Sequence, residues 1–360
     1  MTHANLPNQG GGRAVRVALE HATVGHSPAM SVIITTPDSY DTIRALVGAL
    51  RLQTARDLLE LVIVAPSAAA ISGSVGELQD FRCWRIVELG ILRTVAQAKT
   101  AGILCATSQV VVLTEDHCFP DPGWAQALIE AHREDWAAVG PAMDNGNPNS
   151  LISWADFILG YGPWFNPPGA GEVDLLPGHN TSYKRDLLVS YGKRLETLLG
   201  AETNLQQDLR ARGYRLYLEP AAKAFHNNFT EPSRWIPYLF YSGRVFAAER
   251  RRNWPPLRRA GYSAGAWLIP FVRLMRLLPR VRRSRPDLVA GVFAPLLFGL
   301  IIDALGQGIG YALGGGQAAR KVARLEFHRE ARHRNWWHRG DRFSRSSSRL
   351  TRVQRNCLDV

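Results

Sequence analysis

The chain has 360 residues, of which 46% are apolar and 21% charged, and it carries a formal net charge of +12. That length allows a large core and more than one structural unit, and the balance is that of an ordinary globular chain with a mild apolar excess. Cys83, Cys105, Cys118 and Cys357 show neither paired spacing nor a CxxC motif, which argues against a disulfide scaffold and for a reducing compartment.

In chain order, residues up to about Ser27 are polar and Gly-rich and read as a flexible arm with room for one strand. The arm has no apolar core of signal-peptide length, so no export signal is expected. Ser31-Val-Ile-Ile-Thr-Thr36 reads as a strand ending at Pro37-Asp38, and Ser39–Gln53 carries Ile43, Leu46, Val47 and Leu50 at helical spacing. Leu59–Val64 is a second strand, Ser67–Leu78 a weaker helical pattern, and Arg85–Leu89 a third strand. Thr94–Ala106 is Ala-rich and helical, and Val110–Leu113 is the next strand. It runs into Glu115-Asp116-His117 and a Pro-Asp-Pro-Gly turn. A helix from Pro122 to His132 and a strand at Trp136–Gly140 follow. Strands alternating with helices predict an α/β fold, a doubly wound and mostly parallel Rossmann-like sheet.

In such sheets ligands collect beyond the carboxyl ends of the strands, where the Glu115-Asp116-His117 cluster falls. Carboxylate oxygen and imidazole nitrogen together suit a divalent cation, although a short acidic cluster at a strand end is often only solvated. Glu115 and His117, two apart on an extended strand end, are expected to point the same way.

Asn145–Leu176 is rich in Gly, Pro, Asn and aromatics, among them Trp154, Phe157, Tyr161, Trp164 and Phe165; it either lines a groove or packs over the sheet. Gly178-His179-Asn180 leads to a helix from Glu202 to Gly213, a strand at Tyr214–Leu218, and His226 at the end of the pattern. Beyond lies a basic amphipathic stretch, Trp267–Arg283, of the kind that lies flat on an anionic interface. The apolar run Leu288–Ile302 reaches about 22 Å as a helix, short of a hydrocarbon core of roughly 30 Å. Extending it to Leu313 supplies the length but includes Asp303. From Arg320 to Arg355 twelve basic residues face three acidic ones, an electrostatic footprint or simply a solvated tail.

Taken in order, these residues resemble a family 2 glycosyltransferase of the GT-A fold, over about Ser31 to His226. The opening strand SVIITTPD matches the family's S-V-V-I-P-T-Y-N loosely, with Thr36 kept and Asp38 in the Asn position. Ala98–Gly102 resembles A-R-N-x-G with Lys99 in place of Arg, and Pro-Asp-Pro-Gly-Trp follows the acidic motif closely. Two departures stand out: Ala65-Pro66-Ser67 replaces the Asp that usually holds the nucleobase, and the third acid of the metal motif is His117.

The resemblance implies an inverting, metal-dependent glycosyltransferase moving a sugar from a nucleotide-diphosphate donor to a hydroxyl of a surface glycan or lipid-linked acceptor. Glu115, His117 and His226 become the metal ligands, with Mn²⁺ favoured over Mg²⁺ by the imidazoles. Thr36, Asp38, Lys99 and Asp116 become donor contacts. His179, Asn180 and Trp164 fall on the acceptor side, and Glu202 is the catalytic base, with Asp208 the lesser candidate. The expected division is an arm over 1–27, a catalytic domain over 28–230, a helical membrane-associating region over 231–318 and a basic tail over 319–360. The expected location is the cytoplasmic face of the cell membrane, in contact with anionic lipid and without nucleic acid. The rival readings are a polyprenyl-phosphate sugar synthase and a glycosyltransferase-like binding module without catalysis.

Overall fold

Runs such as Leu59–Ala65, buried at every position, need cover on both faces, as strands of a parallel sheet have. In the computed structural model, which describes residues 15–25 and 27–327, these runs form the middle of a ten-stranded sheet. The first half contains β1 (Arg16–Ala22), β2 (Met30–Thr35), α1 (Tyr40–Arg51), β3 (Leu59–Ala65), α2 (Ala69–Ser72), β4 (Cys83–Glu88) and α3 (Val95–Cys105). It continues with β5 (Val110–Leu113), β6 (Cys118–Pro120), α4 (Trp124–Ala131), β7 (Ala138–Asn145) and α5 (Leu151–Tyr161). Next come β8 (Gly171–Val173), β9 (Ser182–Lys184), α6 (Arg185–Val189), α7 (Leu195–Leu199), α8 (Glu202–Ala211) and β10 (Leu216–His226). Helices α9 (Pro232–Arg250), α10 (Pro256–Ala264), α11 (Ile269–Ser284), α12 (Val289–Leu313) and α13 (Ala318–Glu326) complete it.

The strand order is β1-β4-β3-β2-β5-β9-β7-β10-β6, with β8 on β10. β4, β3, β2 and β5 are parallel, and β7 and β10 are parallel to each other. Between these two groups the short β9 runs against its neighbours β5 and β7, and β8 is antiparallel to β10. The predicted mostly parallel sheet is therefore present, with antiparallel β1 at one edge and β6 at the other. β10 slips register between Glu219 and Lys223, around Pro220, which has no N–H to give the ladder. After that irregularity it resumes pairing and brings His226 beside Asn145.

Two sites depend on close approach. A Cβ on Gly102 of α3 would sit 2.5 Å from the Ile33 side chain, so glycine lets α3 lie tight against β2. In the C-terminal helices, a Cβ on Gly310 would sit 2.5 Å from the Arg244 carbonyl oxygen, and one on Gly306 would collide with the Phe240 carbonyl. Those glycines let α12 press directly on the α9 backbone.

Leu151–Tyr161, inside the Gly- and aromatic-rich stretch, is a largely buried helix capped by Ser150, whose Oγ accepts from the Ile152 N–H at 3.2 Å. Its Trp154 and Phe157 pack over the sheet, while Tyr161 and Trp164 face the cavity described below. Cys83 and Cys105 are free and buried, and Cys118 is buried as well. Cys357, most of the N-terminal arm and the basic run after Phe327 lie outside the described residues.

Candidate active site

β5 lies mid-sheet, and the chain leaves it at Leu113 into a turn. Glu115 and His117 therefore converge through that turn, not through strand alternation. The His117 Nε2 stands 3.5 Å from Glu115 Oε2, and the His226 Nε2, arriving from the end of β10, stands 3.5 Å from the same oxygen. The ligand-capable atoms of these three residues lie within 4.8 Å of one another. His226 thus joins two side chains that lie over a hundred positions before it in the sequence.

Neighbouring oxygens set the orientation of both rings. His117 Nδ1 donates to Asp116 Oδ1 at 2.6 Å, and His226 Nδ1 donates to Asn228 Oδ1 at 2.7 Å. A carboxylate or amide oxygen can only accept, so each ring carries its proton on Nδ1 and turns the Nε2 lone pair toward Glu115. Asn228 is itself held in a buried amide cluster. Its Nδ2 donates to Asn145 Oδ1 at 3.0 Å, its N–H to Asn147 Oδ1 at 2.8 Å, and Ser153 Oγ donates to Asn147 Oδ1 at 2.9 Å. Sequence reading missed these asparagines; a polar, Asn-rich stretch between β7 and α5 was the signal available.

Glu115 Oε2 is buried and has no hydrogen-bond partner, whereas Oε1 is 2.9 Å from His179 Nδ1. Burial pushes the Glu115 carboxyl upward, but the neighbouring His179, His117 and His226 imidazoles outweigh it. The carboxyl is held well below its usual range and stays ionised. A buried carboxylate oxygen without a partner, faced by two imidazole lone pairs, fits a divalent cation by the chemistry of its donors.

Next to this cluster lies a buried ion pair. Lys99 Nζ, from α3, donates to Glu202 Oε1 at 2.6 Å, and the two side chains are 2% and 4% exposed. The same Nζ is 3.0 Å from His179 Nδ1, so Lys99, His179, Glu115 and Glu202 form one continuous polar core. Glu202 opens α8, and its Oε2 is buried with no hydrogen-bond partner. Asp208, the other carboxylate on α8, accepts from the Tyr191 hydroxyl at 2.7 Å and pairs with Arg212 at 2.7 Å.

A cavity of about 230 Å³ opens on this core, with Glu115, His179 and His226 at one end and Tyr161 and Trp164 along its wall. Arg273 and Asp303, joined at 2.7 Å, lie on the side of the C-terminal helices. Trp164 donates its indole N–H to Leu175 O at 3.0 Å, so one ring edge is anchored. Asn180 adopts φ +64 and is fully buried, its N–H donating to Leu113 O at 2.6 Å. It shapes the loop carrying His179. Thr36 and Asp38 lie after β2, where Thr36 Oγ1 donates to Ser39 O at 2.6 Å and Asp38 Oδ1 accepts from the Thr42 hydroxyl at 2.6 Å. There they brace the start of α1, and the structure does not bring them into the Glu115 cluster.

A further carboxylate, absent from the sequence-derived set, reaches the cluster from α13. Glu326 Oε2 stands 3.7 Å from His117 Nε2, and the residue is 8% exposed.

Residues 31–192 match the family profile of glycosyl transferase family 2. No curated protein matches the chain in sequence. Among solved structures, the chain is similar to mannosyltransferase PcManGT from Pyrobaculum calidifontis, determined with GDP-Man and Mn²⁺. That similarity has 17% identity and a TM-score of 0.52, over 79% of this chain and 88% of that one. It is also similar to residues 1–349 of TarS from S. aureus, at 17% identity and a TM-score of 0.41, over 77% and 89% of the two chains. Glu202 and His226 lie beyond the family match, so only the fold ties them to the Glu115 cluster. The chain is a glycosyltransferase of the GT-A fold whose residues 31–192 match glycosyl transferase family 2.

Proposed function

We propose that the enzyme is an inverting, cation-dependent transferase that moves a sugar from a nucleoside-diphosphate donor to a hydroxyl of a surface glycan or lipid-linked acceptor. The observation that carries this reading is the pair of Nε2 lone pairs turned onto the unpartnered Oε2 of Glu115. Glu115, His117 and His226 would hold the cation, which neutralises charge on a departing diphosphate. Manganese is the favoured ion on donor chemistry, and PcManGT was determined with Mn²⁺ and GDP-Man.

Glu202 serves as the general base. Its free Oε2 accepts the acceptor hydroxyl's proton while Oε1 stays fixed on Lys99. Direct displacement with a base on the far face inverts the anomeric centre. Lys99 and His179 position these carboxylates, and His179, Trp164 and the buried Asn180 shape the acceptor side. Thr36 and Asp38 lie on the donor side, where the nucleobase is held without the usual acid after β3.

We further assign residues 28–230 to catalysis and 231–318 to membrane contact at the cytoplasmic face. Support comes from Pro286–Leu313, 28 residues long with mean hydropathy 2.3, the one helix among the described residues long and apolar enough to cross a membrane. Trp267, Phe271 and Met275 on the preceding segment are 55–68% exposed beside Arg276, Arg280 and Arg283, a combination suited to anionic lipid.

The test is a panel of nucleotide sugars incubated with purified enzyme and MnCl₂, with free nucleoside diphosphate measured. Release by one donor, abolished by EDTA and by Glu115→Gln, is expected. Release unaffected by both would overturn the cation site.

A further inference from the structure

We propose that Arg251, Arg252 and Arg259, together with the loop Gly314–Gly316, form an anion site outside the catalytic cavity that takes a phosphate group. The site needs neither the cation nor the membrane contact proposed above, and it lies on a surface the transfer reaction does not use.

Three observations carry it. First, the C-terminal end of α9, the helix α10 and the turn after α12 enclose an open pocket of about 380 Å³, lined by these residues with Ala248 and Glu249. It shares no residue with the catalytic cavity, and Asp303 of that cavity lies about 16 Å from Gly314 along the α12 axis. Secondly, the pocket sets three guanidinium groups against the single carboxylate of Glu249, and that carboxylate already pairs with Arg252 at 3.2 Å. Arg251 is fixed by its Nη1, which donates to Tyr311 O at 2.6 Å and Ala312 O at 2.8 Å, bonds that leave its charge unpaired. Arg259 has no acid within ion-pair distance among the described residues, and its Nε is buried without a hydrogen-bond partner. A buried N–H on a charged group is costly to leave unbonded, and an oxyanion accepts from it. Burial, and then the Arg259 charge, push the Arg251 guanidinium below its usual range, a repulsion that a bound anion relieves. Thirdly, the facing wall is glycine. Gly314 and Gly316 have φ +83 and +52, and a Cβ on Gly314 would sit 2.7 Å from Arg251 Nη2. Glycine keeps that space clear, so a ligand can reach both the guanidinium and the loop backbone.

A phosphate group matches this chemistry. It offers several acceptor oxygens and up to two negative charges, and guanidinium forks bind it through paired hydrogen bonds. The surroundings point to a lipid headgroup as its bearer. Leu257, on α10 beside Arg258, is 85% exposed, and Leu313, the residue before Gly314, is 75% exposed. Two bare leucines beside a basic pocket suit a phosphate with an acyl chain attached. Free phosphate would satisfy the arginines equally and leave the leucines in water.

The experiment uses the full chain in EDTA at constant ionic strength, so that no cation bridges ligand and protein. Isothermal titration calorimetry follows two probes, dihexanoyl phosphatidic acid as a monomer and inorganic phosphate. Wild type, Arg259→Gln and Arg282→Gln are compared, the last removing an exposed guanidinium of α11 as a control for charge alone. Saturable binding of one phosphate per chain is expected, weakened roughly tenfold or more in Arg259→Gln and unchanged in Arg282→Gln. Tighter binding of the lipid than of inorganic phosphate would support a headgroup as the ligand; equal affinities would overturn the lipid source and assign the pocket to free phosphate. No saturable binding of either probe, wild-type affinity in Arg259→Gln, or the same loss in both variants would overturn the site. Should Arg259→Gln fold poorly, Arg259→Lys, which keeps the charge and lacks the Nε–H, reads the same outcomes.

Discussion

Removing either partner of the Lys99–Glu202 pair should reveal two separable roles. The pair is bonded at 2.6 Å with both side chains at most 4% exposed, so neither charge has water to fall back on. Truncating one member of a buried pair strands the other, at a typical cost of about 3–5 kcal/mol. Glu202→Met leaves the Lys99 ammonium beside His179, and Lys99→Met leaves a carboxylate with neither oxygen bonded to Lys99. At about 2–4 °C per kcal/mol, each single variant should lose roughly 10 °C in melting temperature. The double variant replaces the pair by apolar side chains of similar length and should return close to wild-type stability, since buried pairs are often neutral against such a swap. Its nucleoside-diphosphate release should nevertheless stay down by about 10² to 10⁴, the usual contribution of a general base. Thermal melts and release assays on the four proteins complete the cycle. Strictly additive destabilisation in the double variant would refute the pairing argument. Near-normal release from it would refute the assignment of Glu202.

Three further outcomes follow from the structure. His132 is buried, with Nε2 2.9 Å from Ser182 Oγ; burial first, then the Lys184 charge, push its imidazole down to about 3 against the opposing bond to Ser182. The unfolded state then binds the extra proton as pH falls below about 6.5, so stability falls with pH across that window, by about 2 kcal/mol at pH 5. Urea midpoints at pH 7 and 5 should show this loss in wild type and a flatter response in His132→Gln. Gly306→Ala drives a methyl group into the Phe240 carbonyl and should cost about 1–3 kcal/mol, whereas Gly261→Ala, with open space around it, should cost nothing measurable. Melting curves compare the two directly, and equal values would count against close packing of α9 on α12. Phe271→Ser with Met275→Ser should lower binding to anionic vesicles by roughly tenfold or more, given about 1.5–3 kcal/mol for each large apolar side chain buried. Unchanged co-sedimentation would remove α11 from the lipid contact.

Much of the sheet was legible in the sequence because aliphatic runs such as Val110–Leu113 can only be covered strands. The metal-type cluster was legible because its residues follow a familiar order, even though strand geometry gave the wrong reason for their convergence. What escaped was set by distance along the chain. The Lys99–Glu202 pair joins residues 103 positions apart, and Asn145 meets Asn228 across 83. No local pattern announces such partners. Glu326 was hidden in a run whose net charge is strongly positive, where a lone acid reads as noise. α5 was hidden by its aromatics and flanking Gly and Pro, which suit a loop as well as a buried helix.

The inward turn of Asp303 bears on how α12 meets lipid. Its carboxylate is bonded to Arg273 at 2.7 Å and to Gln307 at 2.8 Å, and Arg273 also reaches the Leu159 carbonyl. Carried alone through a bilayer, the helix would take a guanidinium–carboxylate couple with it or leave a bare acid in oil. Lying on its outer face, with Phe293, Phe298, Ile301 and Leu305 toward the acyl chains, it loses nothing. On the membrane contact proposed above, a segment long enough to thread the bilayer would instead lie on it, with the loops on either side of α12 in one compartment.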